Sequence, residues 1–362
     1  MLPQIRPFIL AITCAIFCWV PDLLCAQQPD KNFQQWDRNR DGRLVVQELP
    51  EKLRPNFPRV DQNQDGFISL EEHLRFIGRR RPAPDSPKRS KYQSLRDIPY
   101  VTEGHPRQKL DLHLPAGKPA DRWPLLIFVH GGAWKGGDKR SAPIEEFIDR
   151  GFAVASLNYR LSQHAIYPAQ IEDCQAAVRW LRDHAGEYQI DPHRFGAFGK
   201  SAGGHLVCLL GTRGERATPG TNTSSRVQAV CSWYGPTELL SMNRQSGPDS
   251  QIDHDAENSP ESRLVGGPLQ ENSELARAAS PLHHVTADDA PFLLMHGKRD
   301  RLVPWQQSEK LHQKLESAGI SSELMIIEGA GHGFDHRQQL PGVIQFFEQQ
   351  LIKEPATNRP EQ

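Results

Sequence analysis

Beyond position 93 the chain is punctuated by seven short apolar runs. They lie at Leu110–Leu114, Leu125–Val129, Phe152–Leu157, Arg194–Phe198, Val227–Trp233, Phe292–Met295 and Glu323–Ile327. Runs this short, bounded by Gly, Pro or polar clusters, predict strands buried on both faces. Between them, residues 169–184 place Ile171, Cys174, Val178 and Leu181 at helical spacing, and residues 306–317 form a second amphipathic stretch. Strands alternating with helices predict an α/β fold with a mainly parallel sheet and helices on both faces. In such folds ligands bind at the carboxyl ends of the strands. Residues 235–281, rich in polar residues, Gly and Pro, break the rhythm and read as an insertion over that end.

The first 92 residues follow other rules. Arg6 precedes an apolar run from Phe8 to Val20, then Pro21, Asp22 and a stretch ending on Ala26. This pattern predicts a cleaved signal peptide over residues 1–26, because the run is shorter than the ~20 residues of a membrane span. The mature chain is therefore expected to be exported, periplasmic or extracellular, with no stable membrane insertion. Residues 78–92 combine Pro82, Pro84 and Pro87 with six basic residues and read as a stiff linker. It separates a small module at 30–77 from a large one at 93–354, with a tail at 355–362.

Composition narrows the picture further. The 362 residues carry 43 Lys+Arg against 44 Asp+Glu, so no global basic surface supports a nucleic-acid partner. Three of the six cysteines lie within the first 25 residues, which leaves Cys174, Cys208 and Cys231. Three scattered thiols on apolar faces make no disulfide framework and are expected to be buried and inert.

In the small module, two windows repeat one plan. Asp37, Asn39, Asp41, Gly42, Arg43 and Glu48 recur as Asp61, Asn63, Asp65, Gly66, Phe67 and Glu72. Each supplies side-chain oxygens at positions 1, 3, 5 and 12 and the main-chain carbonyl of Arg43 or Phe67 at position 7, with glycine at the sharp turn. Ca²⁺ takes six to eight hard oxygens, and this set supplies them. The segment resembles an EF-hand pair, and the resemblance implies Ca²⁺ ligation through these residues. Val45 offers no side-chain oxygen at position 9, so the first site is expected to be the weaker. The tight Leu49–Val60 spacing, with three prolines, requires short intervening helices.

In the large module, Gly199-Lys200-Ser201-Ala202-Gly203 follows one predicted strand and precedes an apolar helical stretch. Small flanking residues permit the sharp turn that exposes a serine hydroxyl. Such a hydroxyl needs a base, a group to orient the base, and donors for a tetrahedral oxyanion. The expected donors are the N–H groups of Gly131 and Gly132 in His130-Gly-Gly-Ala-Trp134, with that of Ala202. Asp300, after the strand ending at Met295, is the expected orienting acid. Asp288 and Asp289 lie at the wrong end of that strand. His332, in Gly331-His332-Gly333 after the last strand, is the expected base, with His296 and His336 as competitors. Trp134 and Tyr159 are candidates for lining a substrate pocket.

Several motifs in combination carry a resemblance over residues 108–334. They are LDLHLP at Leu110, HGGAWKGGDK at His130, NYRLS at Asn158, GKSAGGHL at Gly199, HGKRDRLVP at His296 and GAGHGF at Gly329. The chain resembles α/β-hydrolase esterases of the hormone-sensitive-lipase-like and bacterial feruloyl-esterase-like type. That resemblance implies hydrolysis of carboxylic esters through an acyl-enzyme, with no catalytic cofactor and a small-molecule or polysaccharide ester as substrate. A prolyl-oligopeptidase-type peptidase is the nearest enzyme alternative, although the chain before position 93 is too short for the propeller such enzymes carry. A calcium-dependent binding protein with an inert hydrolase domain is the non-enzymatic alternative.

Overall fold

The computed structural model describes residues 31–80, 91–215 and 223–352. The predicted signal peptide, most of the linker and the tail lie outside the described residues. Chain contacts divide the molecule into two units, Met1–Lys88 and Arg89–Gln362.

In the first unit, β1 (Arg43–Leu44) pairs antiparallel with β2 (Ile68–Ser69), which puts Leu44 opposite Ile68. Both are buried with Phe33, Leu49 and Val60 in a small core. Helices Lys31–Trp36, Phe57–Val60 and Leu70–Arg80 frame the pair, with a 3₁₀ turn at Glu51–Asn56. The three prolines keep the connection between the loops short. The loops repeat each other in conformation: Arg40 and Gln64 have φ of 59° and 57°, and Gly42 and Gly66 have 79° and 85°. Asp37 accepts from the N–H groups of Asp41 and Gly42 at 3.2 and 3.0 Å, and Asp61 from those of Asp65 and Gly66 at the same distances. Glu48 and Glu72 close the loops by accepting from Val45 N–H and Ser69 N–H, both at 3.0 Å.

The second unit is built on one eight-stranded sheet. Its strands are β3 (Tyr92–Pro99), β4 (Lys109–Pro115), β5 (Trp123–Val129), β6 (Ala153–Leu157), β7 (Ile190–Lys200), β8 (Ala229–Trp233), β9 (Phe292–Gly297) and β10 (Ser322–Ile327). Their order is β10-β9-β8-β7-β5-β6-β4-β3. All neighbours from β6 to β10 run parallel, whereas β4 pairs antiparallel with β6 and β3 with β4. Alternate residues of β5 serve opposite cores. Leu125, Ile127 and Val129 pack with helices Ala169–Asp183, Ala202–Arg213 and Gln306–Ser317; Leu126 and Phe128 pack with Ile144–Ile148 and His336–Leu351. The central strands β5, β6, β8 and β9 have both faces covered and are almost wholly buried and apolar, whereas the edge strands β3 and β10 are partly exposed.

The insertion at 235–281 leaves the carboxyl end of β8 and consists of short helices, among them Met242–Gln245, Pro260–Val265 and Ser273–Ala278. Cys174, Cys208 and Cys231 are free and buried, and burial pushes the Cys208 thiol up to about 12. Among the described residues, no helix is long and apolar enough to cross a membrane.

Candidate active site

Ser201 is the first residue after β7. Its φ of 55° and ψ of −124° place it in a strained turn, held by its N–H donating to Trp233 O at 2.8 Å. The flanking glycines are there for space. A Cβ at Gly199 would lie 2.2 Å from Gly203 O, and one at Gly203 would lie 2.1 Å from Val129 O. Strand, turn and helix thus press together and leave the hydroxyl at the carboxyl end of the sheet.

The loops after β9 and β10 bring Asp300 and His332 to that hydroxyl. His332 Nε2 lies 3.0 Å from Ser201 Oγ, and His332 Nδ1 lies 2.7 Å from Asp300 Oδ2. A carboxylate facing Nδ1 assigns the proton there, which leaves Nε2 as the acceptor for the hydroxyl. Asp300 is itself held on all sides. Its Oδ1 accepts from the N–H groups of Leu302 and Val303 at 2.8 and 2.9 Å, and its Oδ2 also faces His296 Nε2 at 3.1 Å. Burial alone would raise the acid's pKa. The hydrogen bonds from His296 and His332 outweigh it and hold the carboxyl well below the usual carboxylate range.

The competing histidines lie elsewhere. His296 is buried behind Asp300, between Ser308 Oγ at 2.8 Å and Val303 O at 3.0 Å. His336 Nδ1 lies 3.0 Å from Lys200 Nζ, outside the Ser201–His332–Asp300 chain. Asp288 pairs with Arg226 at 2.9 Å before β9, at the opposite end of the strand from Asp300.

Gly131 and Gly132 follow β5 directly and approach the turn at Ser201. A Cβ at Gly131 would lie 2.7 Å from Lys200 O, and Gly132 has φ of 117°. Among the described residues, no hydrogen bond uses either N–H. The loop is braced from below by His130, the motif's first residue, and by Arg107, which the motif does not announce. Arg107 Nη2 lies 3.1 Å from His130 Nε2, and His130 Nδ1 lies 2.7 Å from Gly131 O. Arg107 can only donate, so Nε2 accepts and Nδ1 donates to the carbonyl. In a trans peptide the C=O and the following N–H point in opposite directions. Anchoring Gly131 O toward His130 therefore turns the Gly132 N–H away from it. Burial holds the His130 pKa down to about 4, so the ring is neutral at physiological pH.

Trp134 and Tyr159, the candidates for lining a pocket, pack in the core beside the loop after β5. Both are buried; Trp134 Nε1 donates to His205 Nδ1 at 3.1 Å, and Tyr159 stacks on His130 and donates to its carbonyl at 3.1 Å. They brace the loop after β5, because the turn there folds Trp134 back into the core. The ring that does meet His332 is Tyr234, with centroids 4.6 Å apart. It follows β8 as Ser201 follows β7, and its place after a strand's carboxyl end was the available signal.

Among the described residues, no three His, Cys, Asp or Glu side chains gather as a metal cluster.

Comparison with known proteins agrees with the second unit's architecture. Residues 110–315 match the BD-FAE family. The chain is 31% identical to Esterase LipQ of Mycobacterium tuberculosis over 83% of its own length and 71% of that protein's. It is 32% identical to a probable carboxylic ester hydrolase, LipM, of the same organism, of which it spans about half, 49%. The structure of a truncated carbohydrate esterase from gut microbiota superimposes with a TM-score of 0.64 at 31% identity, covering 74% of this chain and 99% of that one.

Proposed function

Because the chain belongs to the BD-FAE family of α/β-hydrolase esterases, a family of carboxylic ester hydrolases, we propose that it cleaves short acyl esters through an acyl-enzyme on Ser201. The observation that carries this reading is the unbroken hydrogen-bond chain from Ser201 Oγ through His332 to Asp300 Oδ2. His332 Nε2 takes the hydroxyl proton as Oγ attacks the ester carbonyl. The resulting oxyanion is met by the N–H groups of Gly132 and Ala202, with Gly131 beside them. His332 then returns the proton to the leaving alcohol, which departs and leaves the acyl group on Oγ. Water enters, gives its proton to Nε2 and releases the acid, and the proton goes back to Ser201. Asp300 stays ionised throughout and stabilises the imidazolium without taking its proton.

Likeness to a carbohydrate esterase supports a saccharide on the alcohol side, and the motif resemblance to feruloyl esterases adds acetyl or feruloyl as the candidate acyl group. The test is a panel of p-nitrophenyl esters of rising chain length, acetylated xylan, methyl ferulate and a Pro-anilide peptide. Short esters are expected to be cleaved fastest, and Ser201→Ala is expected to lose at least about 10³-fold in kcat. Equal silence of parent and variant on every ester would defeat the reading.

The same proposal assigns Ca²⁺ to the small unit. Asp37, Asn39, Asp41, Arg43 O and Glu48 would hold one ion, and Asp61, Asn63, Asp65, Phe67 O and Glu72 the other. The support is chemical: every donor is a hard oxygen, and the two loops share one conformation. The ion supplies cross-linking of its loop, with no part in ester cleavage. Export rests on the sequence of residues 1–26, and N-terminal sequencing of the secreted protein tests it by locating the start at Gln27.

A further inference from the structure

The loop that carries Asp300 also forms one wall of a separate cleft of about 330 Å³, whose other wall is the 245–250 segment of the insertion. Lys298, Arg299 and Trp305 line one side, and Asp249 and Ser250 the other. The charges in this cleft do not cancel. Asp249 pairs with Arg301 at 3.5 Å, and the Asp300 carboxylate is buried and committed to His296 and His332. Among the described residues, no carboxylate lies within ion-pair distance of Lys298 or Arg299. Lys298 is nonetheless held in place, with Nζ 3.3 Å from the centre of the Trp305 ring. An ammonium set against an aromatic face is oriented without being neutralised, so its charge stays available to a ligand.

The position is as informative as the charge. The cleft opens on the loop after β9, two strands from β7, whose end carries Ser201. Neighbouring strands lie ~4.8 Å apart, so the cleft is displaced sideways from the nucleophile by roughly 10 Å. A short oligosaccharide whose acyl ester is held at Ser201 can reach that far along its own chain. We propose that this cleft is a subsite for an anionic group, a carboxylate or a sulfate, on the saccharide alcohol of the substrate. The inference rests on the esterase reading above and narrows its substrate class to acidic saccharides. Arg299 presents a planar donor fork suited to either oxyanion, and Lys298 adds a fixed point charge.

The test compares kcat/KM for acetylated xylo-oligosaccharides with and without a uronate substituent, with a sulfated acetylated oligosaccharide as a second arm. The parent protein is expected to favour one or both anionic substrates by about tenfold, the effect of two partly exposed ion pairs. In Lys298→Gln/Arg299→Gln the ratio of anionic to neutral kcat/KM is expected to fall to near one through KM, with the melting temperature unchanged. Raising the salt concentration is expected to erode the parent's preference in the same direction. Preference for the uronate alone or the sulfate alone identifies the anion. Equal kcat/KM for neutral and anionic substrates in the parent overturns the proposal, as does a double variant that keeps the preference. If the protein is silent on p-nitrophenyl acetate as well, the esterase reading fails separately. In that event, calorimetry with the unesterified acidic oligosaccharides still decides the cleft: binding that the double variant loses supports it, and no binding overturns it.

Discussion

The glycine loop that approaches Ser201 is held by His130, its motif's first residue, and by Arg107, which no motif names. His130 and Arg107 stand behind the oxyanion loop, and their contribution is separable from substrate binding because neither contacts the reacting carbonyl. Arg107→Met removes the donor to His130 Nε2 and loosens the peptide that orients the Gly132 N–H. The expected outcome is a kcat reduced by about tenfold with KM nearly unchanged, a fraction of the 10²–10³ cost of deleting a whole oxyanion donor. Steady-state kinetics on p-nitrophenyl acetate checks this, and Arg107→Lys should restore part of the loss. Lys200 tells a different story. Its ammonium sits among the rings of Phe128, Phe198 and Trp233, 4.9 Å from the last, with His336 beside it. Burial lowers its pKa from 10.5 to about 8. Between those values the unfolded chain holds a proton that the folded one has released, so this residue makes stability rise with pH across that window. Below pH 8 the cost of burying the charge is present in full. Lys200→Met is therefore expected to melt higher than the parent at pH 7, with the gap closing toward pH 10. A gap that does not change with pH would refute the assignment.

Elements differ in how plainly the sequence announces them. The seven apolar runs all coincide with strands; in the central ones, β5, β6, β8 and β9, both faces are covered and nearly every position is apolar, and that signal is local. The helices at 169 and 306 were equally legible from their spacing. Strand β3 was not, because an edge strand exposes half its residues and carries a bulge, here between Leu95 and Ile98 with Asp97 at φ of 56°. The long helix His336–Leu351 was hidden by Pro341 and Gly342, which read as a stop but fall inside the helix. At the site, Ser201, Asp300 and His332 could be read because each follows a strand in a glycine-rich turn. The burial of Trp134 and Tyr159 was not legible, because a motif shows which residues are near a site and not which way a ring turns. What secures β3 is a buried cation. Lys139 Nζ lies 2.7 Å from Asp111 and 2.9 Å from Asp97, and Asp111 Oδ1 also accepts from Asp97 N–H at 2.8 Å. Lys139→Met leaves the buried Asp111 carboxylate without its main partner and is expected to cost about 3 to 5 kcal/mol. Urea unfolding measures it, and a loss below about 1 kcal/mol would show that the edge is held by its backbone ladder alone.

The whole molecule joins two units whose stabilities have different origins. The hydrolase unit buries two continuous apolar layers against an eight-stranded sheet. Among the described residues of the small unit, the buried apolar core is Phe33, Leu44, Leu49, Val60 and Ile68. Small cores of this kind supply only a few kcal/mol, so a bound cation would be a large share of this unit's stability. Six loop carboxylates, two Asp and one Glu in each loop, repel one another until a cation enters. Ca²⁺ that binds only the folded loops adds stability by mass action, about 2.7 kcal/mol when its concentration is 100 times Kd. Calorimetry of the intact protein is therefore expected to show two transitions, of which only the smaller moves down when a chelator is added. The larger transition and kcat on short esters should stay where they were. The loops should also differ. Ser69 at position 9 of the second loop donates its hydroxyl to Glu72 at 2.8 Å, whereas Val45 gives Glu48 no such support. Titration should resolve a tighter and a weaker site, and Glu72→Gln should remove the tighter one. A single chelator-insensitive transition would remove calcium from the account and leave the hydrolase assignment standing, since none of its residues lies in the small unit.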